Sequence, residues 1–225
     1  RETVNKVEKM KVCTCLNPLH TALALSGCLL GFNLICDEMK DKDLKKMVEI
    51  LGYKEGLPVV VDPKIIKPKT FIDEVIEKRL PNPFMPDTPQ RIATDTSQKL
   101  SIRFGETVKA YLANPELNVK SLKILPMVFA LWLRYLLGID DNGKEFELSP
   151  DPLLPDVKNE LSGILIGKND ETKVEEKIKK LLKNEKIFGF DVVSSELYGK
   201  VKSYFMEMIS ANGKVREVIS HAVEN

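Results

Sequence analysis

The stretch from Leu19 to Phe32 most constrains how this chain can fold, because nearly every residue in it is apolar or small. A helix that is apolar on all sides has no polar face to turn to water, so it must be buried within a larger structure. Three polar residues, Lys11, Asn17 and His20, stand at or just before the start of this stretch. The sequence therefore predicts a buried central helix with a polar group at its N-terminal end.

Asn17 and His20 are three residues apart, which places their side chains on one face of the first helical turn. Asn17 followed by Pro18 is typical of a helix start, with Asn17 as the N-cap and Pro18 at the first helical position. From the spacing alone, two interpretations are equally good. One is a polar site, and the other is a capped core helix in which a backbone carbonyl satisfies His20.

The remaining patterns predict a mainly helical, single domain over residues 1–225, because strand signals are sparse. A second apolar helix is expected over residues 120–137, closed by Gly138. Further helices are expected at residues 41–51 (ended by Gly52), 70–80, 153–166, 172–184, 195–210 and 213–223. Residues 1–10 are expected to be a polar lead-in, residues 57–63 an extended connector, and residues 145–148 a short extended piece.

Four charged residues recur at every fourth position after a proline-rich loop: Arg91, Asp95, Lys99 and Arg103. If residues 91–103 form one helix, these side chains share a face. A solvated face with ion pairs between successive turns would explain the pattern without any chemistry. The excess of cations over carboxylates also suits a site for an anion.

Charge and composition exclude several classes of function. The chain has 34 basic and 33 acidic residues, so nothing global favours nucleic acid or a membrane surface as a partner. The longest apolar run is interrupted by polar residues and is shorter than the roughly 20 residues of a spanning helix. The first ten residues are charged and polar, unlike a signal peptide. The twelve glycines form neither a dinucleotide-binding fingerprint nor a phosphate-binding loop.

The four cysteines lie close together near the start of the chain, which favours buried free thiols in a reducing cytoplasm over a disulfide framework. A zinc site built from Cys13, Cys15, His20 and Cys28 is disfavoured. The spacing lacks the paired cysteine knuckles of structural zinc sites, and Cys28 falls inside the apolar helix. The sequence thus predicts no metal.

Three ordered blocks together resemble the C-terminal domain of the mannitol dehydrogenase and fructuronate reductase (mannonate oxidoreductase) family of long-chain polyol and sugar-acid dehydrogenases. The blocks are Glu8-Lys-Met-Lys11 through Leu16-Asn17-x-x-His20, then Asn82-Pro83 with Arg91-Ile-Ala-x-Asp95-x-Ser97-Gln98-Lys99-Leu-x-x-Arg103, and Ala130-Leu-Trp132-Leu-Arg134-Tyr135-Leu with Gly138, Asp141, Gly143, Phe146 and Asp151-Pro152-Leu153. The resemblance implies a helical domain of the 6-phosphogluconate-dehydrogenase-like type. It also implies an N-terminal Rossmann domain that this chain lacks and that would bind NAD(H).

The resemblance also assigns roles to residues. Lys11 matches the catalytic acid/base, Asn17 and His20 match the residues that hold the reacting oxygen, and Arg91 and Lys99 match basic residues that bind substrate. The family usually has four residues between the lysine and the asparagine, whereas this chain has five. A bulge or turn is expected to absorb the extra residue.

The expected activity is a metal-independent hydride transfer between NAD(H) and a ketouronate/aldonate pair, with fructuronate and mannonate favoured. Mannitol 2-dehydrogenase, tagaturonate reductase and sugar-phosphate dehydrogenase are alternatives within the same family. A helical dimerisation or interaction module without catalysis is the alternative from another class. The expected partners are a small sugar acid or polyol and the chain's own Rossmann domain, in the cytoplasm.

Overall fold

A computed structural model describes residues 1–224, and these residues form helices and connecting turns without a β-strand. The α-helices are α1 (Glu2–Met10), α2 (Asn17–Leu30), α3 (Ile35–Glu38), α4 (Lys42–Glu49), α5 (Pro68–Glu74), α6 (Pro89–Ile92), α7 (Glu106–Ala113), α8 (Ile124–Tyr135), α9 (Leu154–Glu160), α10 (Glu171–Leu182), α11 (Glu185–Phe188), α12 (Tyr198–Met208) and α13 (Lys214–Glu224). Four π-helical turns (Lys11–Cys15, Ile50–Gly56, Val75–Arg79, Ser101–Gly105) and three 3-10 turns (Leu57–Val59, Thr96–Gln98, Val119–Ser121) extend or join them. The predicted mainly helical fold is confirmed.

Helix α2 lies at the centre of the domain. Every residue from Pro18 to Leu29 is buried except His20, which is partly buried. The helices α3, α4, α6, α8 and α13 all pack against it. It ends at Gly31, which adopts a left-handed conformation with φ of 78° that glycine tolerates best. The prediction of a buried central helix is confirmed.

The second apolar helix, α8, is also buried along its whole length. It begins at Ile124, later than predicted, because a 3-10 turn precedes it and a buried carboxylate fixes its first residue. Glu55 accepts hydrogen bonds from the backbone N–H groups of Lys123 (2.7 Å), Ile124 (2.8 Å) and Leu125 (2.8 Å). A carboxylate placed there satisfies N–H groups that have no partner within the helix and complements the helix dipole.

Other predicted boundaries were wrong for identifiable physical reasons. Helix α4 does not end at Gly52 but continues as a π-helical turn. Gly52 is instead a close-packing position, because a Cβ there would lie 2.4 Å from the Cδ1 atom of Ile72. The expected extended connector begins as the 3-10 turn Leu57–Val59, and the polar lead-in is helix α1. The expected extended piece forms only the bridge between Ile139 and Glu145.

The described residues include one helix, Glu2–Leu30, whose length and composition would allow it to cross a membrane. It exceeds the predicted apolar run because α1 and the π-helical turn Lys11–Cys15 continue into α2. Its most apolar window is 83% buried inside the domain, as expected of a core helix.

One carboxyl group in the core lacks a partner. Glu38 is fully buried, and neither of its carboxylate oxygens has a hydrogen-bond partner within residues 1–224. It packs against Gly27 of α2, where an added Cβ would lie 2.4 Å from Oε1. Burial raises the pKa of Glu38 well above its ordinary value, and the nearby charge of Asp41 raises it further.

The burial of α2 predicts a large cost for shortening one of its side chains. Leu25 is fully buried, so Leu25→Ala is expected to lower the free energy of unfolding by about 2–5 kcal/mol, through lost transfer energy and a cavity. Leu112, which is 57% exposed on α7, serves as the control. Urea denaturation should show a change below about 0.5 kcal/mol for Leu112→Ala. Equal effects of the two variants would contradict the central position of α2.

Glu38 predicts a stability that depends on pH. Because its pKa is higher in the folded chain, its contribution is greatest below pH ~4.5 and is lost as the pH rises through the folded pKa. Glu38→Met should therefore raise the free energy of unfolding by about 1–3 kcal/mol at pH 8, and by less at pH 5. Urea titrations at both pH values measure this, with the exposed Glu116→Met as control. A gain that is equal at both pH values would contradict the role of the carboxylate charge.

Candidate active site

A π-helical turn connects Lys11 to the start of α2. The N–H of Leu16 donates to the carbonyl of Lys11 (3.1 Å), and the N–H of His20 donates to the carbonyl of Leu16 (3.0 Å). Lys11 and His20 therefore lie two turns apart along one line of hydrogen bonds. A π-helical turn holds one residue more than an α-helical turn. The structure thus contains a local expansion of the size needed for the extra residue between Lys11 and Asn17.

Asn17 is the first residue of α2, and its side chain does not cap the helix. The N-cap is Leu16, which leaves the helical conformation (φ −133°, ψ −64°), so the prediction that Asn17 is the N-cap was wrong. The backbone carbonyl of Asn17 accepts a hydrogen bond from the hydroxyl of Thr21 (2.9 Å). The side-chain amide of Asn17 is partly buried and makes no hydrogen bond within residues 1–224.

The imidazole of His20 faces a carboxylate rather than the backbone carbonyl that the capped-helix interpretation required. Its side chain is 12% exposed, and Nε2 lies 3.4 Å from Oδ2 of Asp87 without the geometry of a hydrogen bond. Burial lowers the pKa of His20 to about 4, and the charges of Arg79, Arg103 and Arg91 lower it further in that order. His20 is therefore a neutral imidazole at neutral pH.

Asp87 is the site residue that sequence reasoning missed. Its carboxylate forms an ion pair with Arg91, four residues later, as well as approaching His20. The backbone holds it firmly, because its carbonyl accepts from the N–H of Ile35 (2.9 Å) and its N–H donates to the carbonyl of Met85 (2.8 Å). The spacing of Asp87 and Arg91 is visible in the sequence, but the approach to His20 depends on how the proline-rich loop folds.

Residues 91–103 do not form one helix, so the prediction of a shared charged face was wrong. Helix α6 ends at Ile92, and Asp95 takes a left-handed conformation with φ of 56°. Hydrogen bonds to a distant part of the chain hold this segment in a conformation that is not helical. The N–H of Asp95 donates to the carbonyl of Pro150 (2.9 Å), and the N–H of Ser97 donates to Oδ2 of Asp151 (2.8 Å).

The two predicted substrate-binding cations face different surroundings. Arg91 is 66% exposed and paired with Asp87. The ammonium of Lys99 donates to the carbonyl of Thr94 within its own loop. Burial lowers the pKa of Lys99, and the charge of Arg103 lowers it further. Arg103 is partly buried and donates to the hydroxyl of Thr21 on α2, next to the start of the central helix.

His20 lines a narrow crevice that opens beside a larger cavity. The crevice is lined by His20, Ile35, Arg79, Leu80, Met85 and Asp87. The adjacent cavity, of about 370 Å³, is lined by Phe71, Glu74, Val75, Lys78, Arg79, Asn82 and Met85. Arg79 and Met85 border both spaces. The structure thus places His20 beside a cavity, whereas Lys11, Asn17, Arg91 and Lys99 lie outside both linings.

The described residues do not assemble the zinc ligands considered from the sequence. Cys13, Cys15 and Cys28 are buried free thiols, and burial raises the pKa of Cys15 and Cys28 to about 12. Within residues 1–224, side chains close enough to share a metal ion are Glu207, Glu217 and His221, on α12 and α13. That group lies on different helices from the polar residues around α2.

The residues of this chain do not fit a dinucleotide site by themselves. Dinucleotides are held at the turn between a strand and a helix, where glycines let the backbone approach the pyrophosphate. The described part of the chain has no strand from which such a unit could be built.

The described residues form an all-helical domain in which Asn17 and His20 lie at the start of a buried central helix. Residues 3–209 match the family model described as mannitol dehydrogenase C-terminal domain, and the chain belongs to this family. The resemblance seen in the sequence is confirmed.

Comparisons with individual proteins support the same family assignment. The chain is 53% identical over 223 residues to a D-mannonate oxidoreductase from Thermotoga maritima, covering 99% of this chain and 41% of the relative. Its fold is similar to that of a Pseudomonas fluorescens mannitol 2-dehydrogenase solved as a ternary complex with NAD and D-mannitol (TM-score 0.82, 22% identity, 99% of this chain and 42% of the other). It is also similar to a D-sorbitol dehydrogenase in substrate-free form (TM-score 0.74, 22% identity, 98% and 41%). The chain thus spans about two fifths of the length of these proteins.

The environment of His20 predicts an unusual titration. Because protonation would bury a charge among cations, the folded chain should protonate His20 with a midpoint near pH 4. The chain has two histidines, so a His221→Gln variant assigns the NMR signals of the His20 ring. The stability that depends on neutral His20 is present above pH ~6.5 and declines toward pH 4, by on the order of 3 kcal/mol. A midpoint near 6.5 would contradict the buried, cationic environment.

Proposed function

We propose that this chain is the substrate-binding and catalytic domain of an NAD-dependent oxidoreductase that interconverts a ketouronate and an aldonate, with fructuronate and mannonate as the favoured pair. The observation that carries the proposal is the 53% identity to a D-mannonate oxidoreductase over almost the whole chain. Hydride transfer needs NAD(H), which we assign to an N-terminal nucleotide-binding domain of the full-length protein. The four buried free thiols support a reducing, cytoplasmic setting.

Lys11 is the proposed acid/base that exchanges a proton with the substrate hydroxyl. The π-helical turn supports its register, because it leaves Lys11 on the same line of backbone hydrogen bonds as His20. The side chain of Lys11 is 33% exposed, and its Nζ lies 3.1 Å from Oε1 of Glu8. The desolvation expected of a catalytic lysine is therefore incomplete in this domain alone, and we propose that the nucleotide-binding domain covers this surface.

Asn17 and His20 are the proposed ligands of the reacting oxygen. Within residues 1–224 the amide of Asn17 makes no hydrogen bond, and the neutral imidazole of His20 has an N–H to donate. Donors fixed at a helix start would stabilise negative charge that develops on that oxygen during reaction. Neither residue would need a metal ion for this role.

We also propose Arg91 and Lys99 as substrate-binding residues, although each of them already has a partner within the domain. Each cation already has a partner, Asp87 for Arg91 and the carbonyl of Thr94 for Lys99. Binding of substrate by either side chain would therefore require it to share or exchange that partner. Their positive charge would still attract an anionic sugar toward this side of the domain.

The proposal predicts the outcome of a substrate panel on the full-length protein. NADH oxidation is measured by absorbance with fructuronate, tagaturonate, fructose and fructose 6-phosphate, and fructuronate is expected to give the highest kcat/KM. Lys11→Ala should lower kcat by about 100-fold or more, as expected for loss of a general acid/base. Lys6→Ala is the matched control, because Lys6 lies on α1 and pairs with Glu2.

Each result of the panel has a distinct meaning. Highest activity with tagaturonate, fructose or fructose 6-phosphate would replace the favoured substrate with another of the same family. Activity that survives Lys11→Ala would remove Lys11 from the mechanism. The interaction-module alternative would gain if the full-length protein oxidised NADH with none of the four compounds.

A further inference from the structure

The arginines near His20 and the predicted substrate-binding residue Lys99 differ in whether protein groups already bind them. Arg91 pairs with Asp87, the ammonium of Lys99 donates to a carbonyl of its own loop, and Arg103 donates to the hydroxyl of Thr21. A cation that is held by protein groups gives up that contact when it binds a ligand. The best anchor for an anionic group is therefore a nearby cation that has no such contact.

Arg79 is that cation. Within residues 1–224 it forms no ion pair or hydrogen bond through its side chain, and it is exposed. It borders both the crevice with His20 and the adjacent cavity of about 370 Å³. Among the three arginines that affect His20 electrostatically, Arg79 has the largest effect. Its positive charge is thus close to the proposed reaction site and directed at space that a ligand can occupy.

The backbone around Arg79 is well fixed. Arg79 is the last residue of the π-helical turn Val75–Arg79, and the N–H of Leu80 closes that turn by donating to the carbonyl of Val75 (2.9 Å). The side chains of Ile76 and Leu80 are buried on either side of it in the sequence. The carbonyl of Arg79 accepts a hydrogen bond from the N–H of Asn82 (3.2 Å). The guanidinium therefore extends from a rigid base.

We propose that Arg79 binds the carboxylate of the sugar acid and thereby selects an acid over a neutral polyol or ketose. This inference rests on the proposed function. A guanidinium offers two parallel N–H donors that match a carboxylate, and this pairing is stronger than a hydrogen bond between neutral groups. The cavity is large enough for a six-carbon acid, since ligand pockets typically measure about 300–1,000 Å³. With the carboxylate at Arg79, the rest of the sugar would occupy this cavity, which shares Arg79 and Met85 with the crevice of His20.

Three variants of the full-length protein test this role. Arg79→Gln removes the charge, and Arg79→Lys keeps the charge but loses the planar pair of donors. Lys78→Gln is the matched control, because Lys78 borders the same cavity but not the crevice with His20. For each variant, kcat and KM are measured with fructuronate and with fructose, and binding of D-mannonate is measured by calorimetry.

Arg79→Gln is expected to raise KM for fructuronate and Kd for D-mannonate by about 10- to 100-fold, the loss typical of a charged hydrogen bond. Its kcat/KM with fructose should change less than about 3-fold, since a neutral ketose has no carboxylate to lose. Arg79→Lys should fall between native protein and Arg79→Gln. Lys78→Gln should stay close to the native protein with both substrates.

Two results would overturn the role of Arg79 while leaving the proposed function in place. One is an equal loss with fructuronate and fructose in Arg79→Gln, and the other is an equal effect of Lys78→Gln. Native protein that turns over no uronate would instead overturn the proposed function, and the role of Arg79 with it. Unfolding midpoints of all variants, measured in parallel, separate these results from a loss of fold.

Discussion

Helix α2 has no polar face to turn to water, so the helices around it have to cover every side of it. This requirement also decides where chemistry can occur. A polar ligand from solvent could not reach the buried length of α2. The first turn of α2 differs, because the chain enters it from the surface. Asn17 and His20 stand at that turn, and the covering helix α6 brings Arg91 toward it. The core and the proposed site are thus two consequences of one buried helix.

Polar contacts between distant segments then fix the loops around this turn. Arg134, fully buried on α8, donates to the carbonyls of Ile139 (2.5 Å) and Asp140 (3.1 Å), which anchors the loop after the helix. Further along that loop, the hydroxyl of Tyr135 accepts from the N–H of Ser149 (2.7 Å), and Asp151 accepts from Ser97. The third sequence block, through Asp151, therefore holds Ser97 of the second block in place.

The sequence predicted the features that depend on local pattern, such as the burial of α2 and α8 and most of the amphipathic helices. It failed where a tertiary contact overrides the local preference. The spacing of residues 91–103 suits one helix, but Pro150 and Asp151 hold Asp95 and Ser97 in another conformation. Gly52 resembles a helix end, yet its role is to admit Ile72. The approach of Asp87 to His20 joins residues 67 positions apart, which no local pattern could show.

The electrostatics of the site follow from the same geometry. The imidazole of His20 is largely buried and lies near several arginines, so a positive charge on the ring is costly. His20 therefore stays neutral and keeps a single ring proton. The same cations would favour a carboxylate entering from solvent, because an anion relieves the repulsion that a proton would increase. The carboxylate of Asp87 supplies part of the negative charge near these cations and pairs with Arg91. Arg79 is thereby left to bind the carboxylate of the ligand. A preference for acids over neutral sugars is therefore consistent with an imidazole that resists protonation.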